Sequence, residues 1–193
     1  LSSSINVMTT GADDLSLNPL TAVRINLHHG WLSDVYVSLI SPSGLHYVIM
    51  GDNDNTEGGC DGGPVGYANI RIVPGDFNPL TAGSTYYIFC SGGQVCLNGD
   101  FTVACNQSAF DPYNGASSTP NCDLAAYNQP GHTLSGTWTL LVNCVCPFLE
   151  NNENYPLIDW GLDFSNPAPV SGDNNSCLAD GGTFFGFNYQ RCQ

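Results

Sequence analysis

Val23-Arg24-Ile25-Asn26-Leu27 and Val35-Tyr36-Val37-Ser38-Leu39 decide the fold. In both stretches Val, Ile or Leu takes every second place, and Arg24, Asn26, Tyr36 and Ser38 fall between them. A period of two sends alternate side chains to opposite faces of a strand, so each stretch offers one apolar face to a core. The second stretch runs into Ser41-Pro42-Ser43-Gly44, where Pro pre-sets φ and Gly tolerates a positive one. Tyr47-Val48-Ile49-Met50 then resumes as a strand, which makes a hairpin.

The same alternation recurs along the chain. Candidate strands are Ile70 to Val73, Tyr86 to Cys90, Phe101 to Ala104, Trp138 to Val142 and Ile158 to Phe164. In the last, Ile158, Trp160, Leu162 and Phe164 are expected on one side, with Asp159, Gly161 and Asp163 on the other. No segment carries an amphipathic helical stripe. Roughly seven to nine short strands at irregular spacing predict an all-β chain, a two-sheet sandwich of jelly-roll type with long disulfide-bearing loops. The stretch from Asn106 to Gln129, rich in Asn, Pro, Ser and Gly, reads as a long loop. Residues 1–165 are expected to form the sandwich, and 166–193 a linker and a short disulfide-closed appendage holding Phe184, Phe185 and Phe187.

Nine cysteines among 22 glycines and 12 prolines indicate disulfides and an oxidising, extracellular or cell-surface location rather than a cytosolic thiol set. They are Cys60, Cys90, Cys96, Cys105, Cys122, Cys144, Cys146, Cys177 and Cys192. Spacing suggests Cys177 with Cys192, and Cys90 with Cys96 or Cys105, while connectivity stays open. The odd count leaves one thiol free, joined to another chain or joined to a part of the protein outside this sequence. The formal charge is -14, with Arg24, Arg71 and Arg191 as the only Lys or Arg residues. Such a surface excludes nucleic acid as a partner and favours divalent cations. No apolar run reaches the roughly 20 residues that span a bilayer. A chain opening on Leu1 rather than Met is expected to be a processed form or an excised segment.

Two stretches together resemble the P domain of subtilisin-like proprotein convertases, a jelly-roll β-sandwich also found in bacterial secreted and cell-surface proteins. One runs from Val23 through His28, Asp34 and Leu39 to Ser41, Pro42 and Gly44; the other joins Gly136-Thr137-Trp138 to Asp159-Trp160-Gly161-Leu162-Asp163-Phe164. The likeness spans roughly residues 5 to 165 and implies architectural roles for His28, Asp34, Ser41, Pro42, Gly44, Trp138 and Trp160. The loop from Asn143 to Pro156 is longer than the family's and bears Cys144 and Cys146, so any partner surface built there is this chain's own.

Among candidate sites, the polar run Gly51 to Asp61 is the densest. Asp52, Asp54, Glu57 and Asp61 are its candidate calcium ligands, although the glycine falls one place late for an EF-hand, and the competing reading is a solvated turn. A second candidate joins Glu150 to Asn154 with Asp159. The histidines His28, His29, His46 and His132 read as structural or exposed, and no GxSxG or HExxH context marks a nucleophile or metal centre. Asn106-Gln107-Ser108 and Asn174-Asn175-Ser176 are glycosylation sequons. Trp31, Tyr113 and Tyr127 are candidate sugar-stacking aromatics.

These features predict a non-catalytic extracellular structural and interaction module, a cell-surface adhesin or filament subunit whose partners are proteins, including copies of itself. The alternatives are an accessory stabilising domain of a secreted subtilisin-like protease and a carbohydrate-binding module that takes a glycan.

Overall fold

A computed structural model describes residues 1–9, 11–29, 35–50, 66–75, 88–89, 95–103, 117–118, 123–144, 157–165, 178–184 and 187–191. The described residues are almost entirely β. The strands are β1 (Ser2–Val7), β2 (Leu20–His29), β3 (Val35–Ile40), β4 (His46–Met50), β5 (Gly66–Ile72) and β6 (Ile88–Phe89). They continue as β7 (Val95–Phe101), β8 (Ser117–Ser118), β9 (Gly136–Cys144), β10 (Leu157–Phe164), β11 (Leu178–Phe184) and β12 (Phe187–Arg191). The first ten make two five-stranded sheets, ordered β1-β9-β3-β4-β8 and β10-β2-β5-β7-β6, and β11 with β12 forms a separate hairpin.

The two sheets pack face to face because their strands alternate as the sequence predicts. Val23, Ile25 and Leu27 of β2 meet Ile72, Ile70 and Ala68 of β5 in register, and all six are buried. Opposite them, Val35, Val37 and Leu39 of β3 lie beside Trp138 and Leu140 of β9 in one apolar cluster. Trp138 is fully buried and Trp160 nearly so. Burying one such ring contributes on the order of 4–6 kcal/mol of transfer free energy before entropic costs. Each indole also finds a partner for its N–H. Trp138 Nε1 donates to the Leu134 carbonyl at 2.9 Å, and Trp160 Nε1 donates to Ser3 Oγ at 2.9 Å, which ties edge strand β10 of one sheet to edge strand β1 of the other.

The turn read from sequence forms. Gly44 has φ 82°, its N–H donates to the Ser41 carbonyl, and the buried Ser41 hydroxyl accepts from the Leu45 N–H at 3.1 Å. The ring of Pro42 then rests on Gly136, where an added Cβ would lie 2.8 Å from Pro42 Cβ. The two distant stretches that carry the family resemblance therefore touch at this corner.

Four expectations need correction. Ile158 does not join the core: the ladder between β10 and β2 shifts between Leu157 and Asp159, so Leu157 packs on the core instead and Ile158 is 41% exposed. The strand expected from Phe101 to Ala104 instead runs from Val95 and ends at Phe101, opposite Ile72, where its parallel partner β5 stops; Ala104 lies outside the described residues. The region from Asn106 to Gln129 is not all loop, since it holds β8 and a 3-10 turn, Leu124–Tyr127, capped by the Asp123 carboxylate on the Ala125 N–H. Tyr127 is no sugar platform. It is fully buried, donates its hydroxyl to the Leu39 carbonyl, and packs edge-on against Tyr47 with ring centroids 5.1 Å apart. Strand β1 escaped the sequence reading because its Ser and Asn residues suit an exposed edge, where only Ile5 and Val7 lean on the core.

Two outcomes follow from these contacts. Gly136→Ala forces a Cβ into Pro42 at a residue with φ 125°, and should lower stability by about 2 kcal/mol in urea titration. Burial holds the Tyr127 phenol well above the ordinary tyrosine range. Its folded-state pKa is raised, so the stability it contributes is complete below about pH 10, where the unfolded phenol titrates, and declines above that. Tyr127→Phe should cost about 1 kcal/mol at pH 7 and flatten the loss of melting temperature between about pH 10 and 11.

Candidate functional site

Register fixes what the outer face of the β10-β2-β5-β7 sheet displays. Since Val23, Ile25 and Leu27 point to the core, Arg24, Asn26 and His28 point away from it. Cross-strand pairing then builds rows. Asp159, Asn26, Asn69 and Asn98 fall opposite one another across β10, β2, β5 and β7. The next row is Gly161, Arg24, Arg71 and Asp100.

In that second row two of the chain's three cationic side chains stand side by side. Arg24 Nη2 lies 3.1 Å from Asp163 Oδ1, Arg71 Nη1 lies 3.2 Å from both Asp100 oxygens, and Arg71 Nε reaches Asp163 Oδ2 at 3.9 Å. Asp163 thus bridges both guanidiniums, and the two Arg and two Asp charges cancel. Gly161 makes room for this: a Cβ there would sit 3.1 Å from Arg24 Nη2. The Arg71 and Asp100 side chains are 35% and 42% exposed, so their pair is screened, while Arg24 at 19% is better shielded.

Exposure is graded along the first row. Asp159 is 8% and Asn26 is 7% exposed, Asn69 is half-buried and Asn98 is open to solvent. Surface-facing sheet positions are normally wet, so the β10 and β2 end of this face is the covered one.

On the other sheet, Ser38 Oγ and His46 Nε2 are 3.0 Å apart on β3 and β4. Sequence reading took His46 as structural or exposed without seeing this partner; eight residues of separation across a turn, read through the hairpin register, could have found it. Ser38 is fully buried beside a satellite apolar cluster of Tyr36 and Val48, and the contact satisfies polar groups beneath that cluster.

Several sites singled out by sequence lie outside the described residues: Asp52, Asp54, Glu57 and Asp61, together with Asp34, Trp31 and Tyr113. The same holds for Cys60, Cys90, Cys105, Cys122, Cys146, Cys177 and Cys192, while Cys96 falls in β7 and Cys144 ends β9. Among the described residues no three His, Cys, Asp or Glu side chains converge as metal ligands, and no helix is long and apolar enough to cross a membrane. In comparisons with known proteins, no protein family, no curated protein and no solved structure matches the chain.

The charge quartet gives a measurable coupling. In a double-mutant cycle of Arg24→Met and Asp163→Asn, urea unfolding should yield about 0.5–1 kcal/mol of interaction at low salt and less in about 1 M NaCl. Gly161→Val should remove most of that coupling by displacing the guanidinium.

Proposed function

We propose that the chain is a non-catalytic extracellular module, a cell-surface adhesin or filament subunit that meets protein partners, copies of itself included, through the outer face of the β10-β2-β5-β7 sheet. The observation that carries this reading is the charge balance of Arg24, Arg71, Asp100 and Asp163. Elsewhere the chain is strongly acidic, at -14 overall, and two like-charged copies repel. A charged row that sums to zero is where a second acidic surface approaches at least electrostatic cost. The odd cysteine count supports a covalent variant of the same contact. Successive strands that change sheets, β2 to β3, β4 to β5 and β9 to β10, support the jelly-roll type of sandwich that the P-domain resemblance implies.

A second reading, the accessory domain of a secreted subtilisin-like protease, draws support from the contact of Pro42 with Gly136, which joins the two stretches that carry the resemblance. A subtilisin-type domain encoded directly upstream of Leu1 would decide for it.

Light scattering on the purified chain tests the first reading. Apparent mass should exceed that of one chain at high concentration and grow with NaCl, as screening relieves the repulsion. Arg71→Glu, which unbalances the face, should return it to a single chain. A single-chain mass at every salt concentration, together with a monomeric band on non-reducing electrophoresis, would overturn the assembly reading.

A further inference from the structure

Each five-stranded sheet ends on two edge strands, and an edge carries a row of main-chain groups open to pairing with another chain. Three of the four edges are blunted. β8 and β6 are two residues long, and β10 is broken by two ladder shifts and carries Asp159 and Asp163. β1 has none of these defences. Its six residues pair with β9 without a shift, no proline interrupts it, and no charged side chain precedes Asp13 in a chain of net charge -14. The ladder also shows which of its groups are open. The Val142 N–H donates to the Leu1 carbonyl at 2.8 Å, and the Leu1 nitrogen donates back to the Val142 carbonyl at 2.8 Å. Bonded pairs alternate in an antiparallel ladder, so Leu1, Ser3, Ile5 and Val7 turn their main-chain groups to β9, and Ser2, Ser4 and Asn6 turn theirs outward. Among the described residues no strand pairs with that outer side.

We infer that β1 is a self-complementary edge that pairs antiparallel with β1 of a second copy about a two-fold axis at Ser4. Antiparallel pairing sets open residues opposite open residues. Centred on Ser4, it places Ser2 opposite Asn6 and Ser4 opposite Ser4, so each outward group of one strand meets its complement on the other. The pairs between them put Leu1, 64% exposed within one copy, opposite Val7 of the second, and Ser3 opposite Ile5. Uncharged side chains along the whole edge leave no like charges facing one another. The two β1-edged sheets then run on as one. This contact rests on the self-assembly proposed above and extends it. Six residues of edge cover far less than the roughly 1,200 Å² of a stable interface, so the edges pair between copies that the Arg24 and Arg71 face already brings together. One two-fold contact closes on a pair, whereas two different ones on each copy propagate a row.

Sedimentation and amide hydrogen exchange on the full chain test the edge. At high concentration and high salt the parent should pass beyond two chains. The amides of Ser2, Ser4 and Asn6 should then exchange at least tenfold more slowly than in dilute solution, while those of Ser3, Ile5 and Val7 are protected in both. Ser4→Pro removes an outward donor at a position where an edge strand tolerates proline, and Ser4→Glu sets like charges opposite each other across the axis. Each should stop assembly at two chains and abolish the concentration-dependent protection, with a melting temperature in dilute solution within about 3 °C of the parent. Arg71→Glu should give single chains with Ser2, Ser4 and Asn6 unprotected. Assembly past two chains in both Ser4 variants, or Ser2, Ser4 and Asn6 amides that exchange in the assembled parent as fast as in dilute solution, would overturn the edge pairing and leave the face contact standing. A mass that ignores Arg71→Glu but falls with Ser4→Glu would overturn the face contact and keep the edge. A parent that stays a single chain throughout would remove both.

Discussion

The burial of two apolar sheet faces against each other governs everything else in this molecule. Trp138, Leu140 and the Val35, Val37, Leu39 series from one sheet, and Trp160, Ile70, Ile72 and the Val23, Ile25, Leu27 series from the other, share one cluster. Because a strand's side chains alternate strictly, slipping any of these ladders by one residue would expose the whole inner set. The core therefore locks the register, and the register decides which polar groups share a row on the outside. Arg24 stands beside Arg71, and Asn26 beside Asn69 and Asp159, as a consequence of where the valines and isoleucines have to go.

That dependence explains why the outer face of the β10-β2-β5-β7 sheet combines features seldom found together on an acidic protein. Its charged row is neutral in sum, with Asp163 serving two guanidiniums, and Gly161 leaves the space in which one of them lies. Its amide row runs from a covered end at Asp159 and Asn26 to an open end at Asn98. The charge-balanced row crosses from the covered β10 and β2 side to the open Asp100 on β7. The same strand, β10, delivers Trp160 to the core and Asp159 and Asp163 to this face, so the fold and the candidate site are built from one alternation.

Much of this was legible in the sequence. The period of two over 23–27 and 35–39, the Ser41 to Gly44 turn and the closing tryptophans gave an all-β sandwich, since alternation and turn chemistry are local properties. The missed elements were those whose reason is not local. Strand β1 exists because β9 offers it a ladder, and its Ser-rich sequence is tolerated at an edge. Tyr127 is buried because its hydroxyl reaches the Leu39 carbonyl 88 positions away in the chain. Ile158 left the core because a bulge reset the alternation that had placed it there.

By itself, then, the sequence determined the class of structure, the inner and outer faces of its main strands and the excess of negative charge. These follow from residue type and spacing along a single strand, or from a simple sum. Only the tertiary structure decided which strands became neighbours and in what register, and hence that Arg24, Arg71, Asp100 and Asp163 form one balanced group and that Asn26 is sealed beside Asp159. Pairing across long sequence separations is selected by how whole sheets bury their apolar faces, and no short stretch of chain contains that information.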